Sequence, residues 1–328
     1  MSSSENLRLG WIGLGSMGLA MALNLQKHIQ RQEEESLPPL KYWNRTISRG
    51  NLLKELGATA CATIADLVQT SDVIFISVSD DAVLQTIITS IIRSGPITGK
   101  IILDTTTVHP STTTSTATLL SGNNASYIAA PVFGATPLAQ AGTLLMALAG
   151  PAAAIETVSP FLTNVLARRV IHVGATPSQA LLLKTTSNFI TAGLMTLLSE
   201  AHVLAEKTGL PAPVLESLVE ENFGAYALGV SRRMSSGSYF PAPGQAPASG
   251  LELGIKDVGH GVGLARDVGM RLGIGEMYLE AAGEARTYGE ERGRKCDSSA
   301  VFGAVRRRAG LEFETEGVQE RDAGARGE

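Results

Sequence analysis

Residues Leu7 to Leu25 read LRLGWIGLGSMGLAMALNL. Leu7 to Ile12 form a short apolar run of strand length, and Met17, Met21 and Leu25 then recur at helical spacing. Between the two elements Gly13, Gly15 and Gly18 follow the spacing G-x-G-x-x-G. In a strand-turn-helix unit these glycines have separate tasks. The first makes the tight bend, the second lets backbone approach a pyrophosphate, and the third lets helix and strand pack closely. The free N–H groups at the helix start, around Leu14, Ser16 and Met17, then face the phosphates. Glycine is common here, at 35 of 328 residues, so the flanking strand and amphipathic helix give the spacing its meaning.

Working outward, Gln30 to Leu40 is acidic and holds two prolines, which predicts a solvated loop. Lys41 to Trp43 is a short strand ending in Asn44-Arg45-Thr46, with a helix from Ser48 to Leu56. The end of the second strand meets the adenosine ribose in dinucleotide folds. A carboxylate there accepts from a 2′-hydroxyl, whereas arginine accommodates a 2′-phosphate. Arg45 without a carboxylate favours NADP, with NAD the other possibility. Strands follow at Asp72–Val78, Lys100–Asp104, Tyr127–Ala130, Thr143–Ala149 and Val170–Val173, with helices at Asp80–Ile92, after Pro110 and at Pro151–Leu166. This alternation predicts an α/β, doubly wound Rossmann domain over residues 1–173.

The pattern then turns helical. Ser178 to Gly209 is one long stretch closed by Gly209-Leu210-Pro211, and further helices are expected at Pro213–Asn222, Glu252–Val268, Glu276–Arg292 and Ser298–Ala309. An all-α domain over 174–311 is predicted, with 312–328 as a charged, disordered tail. Ser235 to Gly250 reads as a long loop, either a lid or simply mobile. Lys184 is the one Lys, Arg, Asp or Glu between Arg169 and Glu200, set among Leu181, Leu182, Leu183, Phe189 and Ile190. So apolar a helix is expected to be buried along much of its surface, which would desolvate Lys184 and lower its pKa toward the range useful for proton transfer. Asn188 follows four residues on, along the same helix face.

Composition narrows the classes. Hydrophobic content is 44%, charged content 18% and net charge −4, which fits a filled globular core and offers no basic field for nucleic acid or a membrane surface. Cys61 and Cys296 lack metal or redox spacing and fit a reducing compartment, and no metal site is expected. The N-terminus carries no signal or transit pattern and no run of 18 apolar residues occurs, so a cytoplasmic protein is expected.

Four motifs in order resemble the β-hydroxyacid dehydrogenase family, 3-hydroxyisobutyrate dehydrogenases in particular. They are Leu9 to Met21, Ala130-Pro131-Val132 through Gly142-Thr143-Leu144, Lys184 with Asn188, and Lys256-Asp257. The stretch from Phe240 (FPAPG) and the segment from Asp297 to Phe302 also look like that branch, so the resemblance spans roughly residues 7 to 310. It implies a Rossmann domain joined by a long helix to a helical domain, with the active site in the cleft and a homodimer or homotetramer as the assembly. It implies Lys184 as general acid/base, Asn188 as its positioning partner, Lys256 near cofactor and substrate, and Val78, Ser79 and Thr107 near the nicotinamide half. The segment that would bind substrate runs through Phe133, Gly134 and Ala135, with Asp257 beside Lys256. The sequence departs from the family here. Phe133 replaces a serine that would help bind a carboxylate, Ala135 replaces a glycine, Ser187 replaces an asparagine, and Ala175 to Ala180 replace a glycine-rich approach. The expected activity is an NADP-dependent oxidoreductase of a small hydroxyacid or semialdehyde-type substrate. The alternatives are a reductase of small aldehydes or imines, or an idle NADP-binding module. If Phe133 faces the site, 3-hydroxyisobutyrate is expected to be a poor substrate; if it turns away, Gly134 and Ala135 N–H groups would still bind the carboxylate.

Overall fold

The computed structural model describes residues 7–31 and 37–324, and the chain divides into two compact units, Met1–Lys184 and Thr185–Glu328. The first opens with β1 (Leu9–Ile12), α1 (Ser16–Arg31), β2 (Lys41–Trp43), a 3-10 turn (Ile47–Gly50), α2 (Asn51–Glu55), β3 (Thr59–Ala60), α3 (Ile64–Gln69) and β4 (Val73–Ile76). It continues through α4 (Asp81–Arg93), β5 (Ile101–Asp104), α5 (Pro110–Ser121), β6 (Ser126–Ala129), β7 (Val132–Phe133), α6 (Thr136–Gln140), β8 (Leu144–Ala149), α7 (Ala152–Val158) and β9 (Ala167–Gly174). Among the described residues these strands form one sheet in the order β3-β2-β1-β4-β5-β6-β8-β7, with β9 pairing β8. The pairings from β3 through β6 are parallel, whereas β8 runs antiparallel to β6 and β7. The order departs on both sides from β1, as a doubly wound sheet requires.

Both faces of the sheet are covered, so its central strands are apolar throughout rather than alternating. On one face Trp11 stacks on Phe75 at 5.3 Å between ring centroids, with Met21 and Leu25 of α1 above them. On the other, Ile12, Ile74, Ile76 and Ile102 meet Leu84, Ile88 and Ile91 of α4. Local signals set the helix starts. Asp80 accepts from the Val83 N–H, Thr63 and Asp66 form a reciprocal cap, and Pro110 occupies the first turn of α5.

The second unit begins within α8 (Ser178–Thr208) and holds α9 (Ala212–Ser235), α10 (Leu251–Asp267), α11 (Gly273–Glu290), α12 (Val301–Arg308) and α13 (Glu316–Gly324). Its core is an aromatic knot in which Tyr288 stacks on Phe313 at 3.8 Å, with Tyr239, Phe240 and Phe302 edge-on around it. One free cysteine is buried in each unit, Cys61 in the first and Cys296 in the second.

Several expectations need correction. Of the segment from Glu312, the described residues end at Gly324 and include a helix, α13. Phe313 and Val318 are buried and Asp322 pairs with Arg294 and Arg321, so packing holds the segment although Glu312, Glu316 and Glu320 stay exposed. The boundary between units falls inside α8, past residue 173, because Ala180 and Leu181 pack on the sheet side. The helix expected over Pro151–Leu166 stops at Val158 and passes into a 3-10 turn, Ser159–Phe161, where Pro160 has no N–H to continue it. The helix expected to end at Asn222 runs on to Ser235 across a break at Gly224, whose φ of 77° lies in the left-handed region. Ser235 to Gly250 lacks regular structure after its first residue, but Tyr239 and Phe240 within it are fully buried, so its first half is anchored. The loop expected at Gln30–Leu40 lies partly outside the described residues; α1 extends into it as far as Arg31.

Candidate functional site

The three glycines of the first turn separate as their spacing predicts. Gly13 has a φ of +96°, and a Cβ there would sit 2.2 Å from the Ser77 carbonyl oxygen. A Cβ on Gly18 would sit 2.3 Å from the Gly13 carbonyl oxygen, so α1 can start this close to β1 only without a side chain. Gly15 is exposed and faces open space, leaving the turn a backbone surface that a phosphate can approach. The turn is braced from β2: the Leu14 N–H donates to Asn44 Oδ1 at 2.9 Å, and Asn44 Nδ2 donates to the Thr46 carbonyl at 2.8 Å. Ser16 is exposed and Met17 half-buried at the helix start. The Leu14 N–H, expected to face the phosphates, is thus taken by Asn44, and the Gly13 N–H by the Trp43 carbonyl; the open centre at Gly15, followed by the helix start, fits a dinucleotide pyrophosphate.

Arg45 and Thr46 are exposed just past β2. The 3-10 turn then brings back Arg49, whose Nη1 donates to the Leu14 carbonyl at 3.5 Å. Sequence reading missed Arg49. Its signal was present in N-R-T-x-x-R, which sets a second guanidinium one turn after Arg45, and no carboxylate occurs between Trp43 and Glu55.

The next two strand ends are tied together. The Val78 N–H donates to Thr106 Oγ1 at 3.1 Å, and Thr105 donates through both N–H and hydroxyl to the Ile76 carbonyl. Ser79 is exposed and donates to Asp80 Oδ2 at 2.6 Å. Thr107 is half-buried beyond them. Beneath this shelf lies Asp104, which accepts from the Thr106 N–H at 2.9 Å and the Tyr127 hydroxyl at 2.8 Å. Burial pushes its carboxyl up to about 6 against these hydrogen bonds. Asp104 and Thr106 were also missed; a carboxylate closing an apolar strand was the available signal.

Phe133 closes β7, opposite Leu145 of β8. Gly134 follows with φ +129°, where a Cβ would come within 2.9 Å of Leu138 and Leu144, and then Ala135. Lys184 stands over the Phe133 ring, with Nζ 5.0 Å from the centroid. The ring therefore faces the lysine. Lys184 itself is half-buried rather than enclosed. The reason is that α8 presents Leu182, Ile190, Leu197 and Leu204 outward, so apolar composition did not mean burial along this helix. Four residues on along α8, in the second unit, Asn188 Nδ2 donates to Asp257 Oδ2 at 2.7 Å, and Lys256 Nζ lies 3.1 Å from Asp257 Oδ1. The structure thus joins Asn188, Asp257 and Lys256 in one unit, and joins Phe133 to Lys184, and the glycine turn to Asn44 and Arg49, in the other.

Comparison with known proteins agrees with this arrangement. Residues 8–174 match the NAD binding domain of 6-phosphogluconate dehydrogenase. The chain is 28% identical over 303 residues to the NADH-dependent oxidoreductase ucdB of Aspergillus ustus, covering 91% of this chain and 99% of that protein. It is 27% identical over 305 residues to 2-(hydroxymethyl)glutarate dehydrogenase of Eubacterium barkeri, covering 91% and 94%. In fold it matches the structure of 3-hydroxyisobutyrate dehydrogenase from Mycobacterium tuberculosis, with a TM-score of 0.77 at 20% identity over 92% of this chain and 99% of that one. A glycine cradle on a doubly wound sheet, an all-helical second unit and the match over residues 8–174 lead to one assignment: the chain belongs to the β-hydroxyacid dehydrogenase family of NAD(P)-dependent oxidoreductases.

Proposed function

We propose that this protein interconverts a small carbonyl compound and its alcohol with NADP(H), Lys184 serving as the proton donor and acceptor. The observation that carries the reading is the cradle at Gly13, Gly15 and Gly18 braced by Asn44, with Lys184 held on the same unit over Phe133. When bound, the nicotinamide exchanges a hydride with the carbonyl or carbinol carbon. The N–H groups from Gly15 to Met17 hold the pyrophosphate, those of Gly13 and Leu14 being spent on the Trp43 carbonyl and Asn44. Arg45 and Arg49, in a stretch without a carboxylate between Trp43 and Glu55, support a 2′-phosphate and hence NADP over NAD. Val78, Ser79 and Thr107 form a shelf for the nicotinamide half, fixed through Thr106 and Asp104. In reduction the Lys184 ammonium gives its proton to the carbonyl oxygen as the carbon receives hydride, yielding an alcohol and a neutral amine. In oxidation the amine takes the hydroxyl proton. Asn188 is the positioning residue on the same helix, and its amide is itself held by Asp257 beside Lys256.

The exposed apolar residues Leu197 and Leu204 on α8, with Leu218, Phe223 and Tyr226 on α9, support assembly of copies into a dimer or tetramer.

The test is Lys184→Ala. Removing a positioned acid/base costs about 10²–10⁴ in rate. Turnover should fall by that factor while NADPH still binds with its original Kd, read by fluorescence titration. A variant that keeps more than half of the original kcat would show that Lys184 only packs.

A further inference from the structure

We infer that Phe133 makes this a site for uncharged carbonyl compounds, aldehydes or ketones whose flank is apolar or aromatic, and sets it against carbonyl compounds that also bear a carboxylate. The inference rests on the oxidoreductase reading above and names its substrate class.

The ring is placed by backbone. Val132 and Phe133 pair with Met146 and Leu145 of β8, and the left-handed residue Gly134 turns the chain away immediately after. One side of the ring packs with the cluster that includes Leu181, Leu183 and Val173. Its face receives the Lys184 ammonium at 5.0 Å, within the range of a cation–π contact.

A carboxylate brought to Lys184 would meet three disadvantages. The face of a phenyl ring is the negative pole of its quadrupole, so it attracts the ammonium and repels an anion. The residues that follow offer little in exchange: Ala135 has no side-chain donor, and the Thr136 hydroxyl is directed to Met17 Sδ at 3.7 Å. Between Lys100 and Lys184 the remaining lysines and arginines are Arg168 and Arg169, both exposed on strand β9 at the far side of β8 from Phe133. Among the side chains of this unit, an anion would therefore be desolvated for one ammonium that it shares with the ring. A neutral carbonyl asks for one donor at its oxygen, which Lys184 supplies, and its apolar flank gains by contact with the ring.

The experiment pairs molecules that differ in charge at constant carbon number. NADPH oxidation is followed with butanal and with succinic semialdehyde. Binding of the unreactive pair butyramide and butyrate to the NADP⁺-loaded enzyme is measured by calorimetry. The expected result is a kcat/KM at least tenfold higher for butanal, and butyramide binding at least tenfold tighter than butyrate. In Phe133→Ser both ratios should fall about tenfold or more. Where the serine variant does not fold, Phe133→Leu keeps the bulk without the ring face, and the ratios should shrink threefold or more. Equal or reversed preference in the original protein, or ratios unmoved by both variants, overturns the inference while leaving the oxidoreductase reading intact. Preferential butyramide binding with neither aldehyde reduced upholds the subsite and overturns the oxidoreductase reading. Failure of both the amide and the carboxylate to bind overturns the subsite.

Discussion

In the first unit the buried polar side chains Asp104, Thr105 and Thr106 lie where parallel strands end, and they tie the backbone of neighbouring strand ends together. In the second, Arg294 with Asp322 and Arg233 with Asp297 join segment to segment around the aromatic knot. Similar polar chemistry serves two purposes, and the architecture decides which. A parallel sheet releases N–H and C=O groups along one edge, so polarity there is available to a ligand. A helical bundle satisfies its backbone internally, so a buried ion pair can do little except fix which helix packs where.

Four measurements would break or sharpen this contrast. The largest effect is expected from Asp322→Ala. Removing one member of a buried pair costs about 3–5 kcal/mol because the other charge is left without its partner. Arg294, 11% exposed, is that other charge. Urea unfolding should show the loss while the Kd for NADPH stays unchanged; a loss below about 1 kcal/mol would mean that α13 is not held by this contact.

Next is Asp104→Asn. The folded-state carboxyl is raised to about 6 from 3.8, chiefly by burial. Such a group stabilises the fold fully below its unfolded value, and the contribution is lost as pH rises through about 6, at most about 3 kcal/mol. Asp72, held down by the Arg8 hydrogen bond, pushes the opposite way, as does Asp322, whose burial is outweighed by hydrogen bonds from Arg321 and Arg294. The quantity to read is therefore the difference between original and variant. Stability of Asp104→Asn relative to the original should rise from pH 4 to pH 6.5; a flat difference would show that Asp104 ionises normally.

Third is Arg45→Ala. A charge-assisted contact to phosphate contributes about 1.5–3 kcal/mol, so KM for NADPH should rise tenfold or more with NADH nearly unchanged. Equal losses with both cofactors would remove the 2′-phosphate assignment. The smallest effect on stability is expected from Leu197→Glu, where the side chain is 58% exposed. Unfolding free energy should move by no more than about 0.5 kcal/mol. Sedimentation should nonetheless show a smaller species, and an unchanged sedimentation coefficient would argue against assembly through this face.

The sequence was most legible where backbone geometry leaves a residue signature. Gly13 and Gly18 are required by contacts of 2.2 and 2.3 Å that a Cβ would violate, so the fold of the first unit could be read from one turn. Asp80 and Pro110 marked their helix starts for the same reason. It was least legible where tertiary partners decide. Residues from Glu312 look like a solvated tail because Asp322 and Arg294 are distant in sequence and only packing pairs them. The outward leucines of α8 misled in the other direction, since apolar composition along a helix does not say which of its faces the chain's own core covers. At the site, Lys184 and Phe133 could each be named, but that the ring faces the ammonium depends on the pairing of β7 with β8.

The distribution of cysteines gives each unit its own reporter. Cys61 and Cys296 are both free, and burial raises both thiols, Cys296 to about 11. A buried thiol that is largely protonated reacts with an alkylating reagent only when the structure around it opens. The labelling rate at Cys61 therefore times openings of the sheet, and that at Cys296 times openings of the helical knot, within one unmodified molecule. Bound cofactor should slow the first clock directly. The degree to which it also slows the second measures how strongly the two halves are mechanically linked.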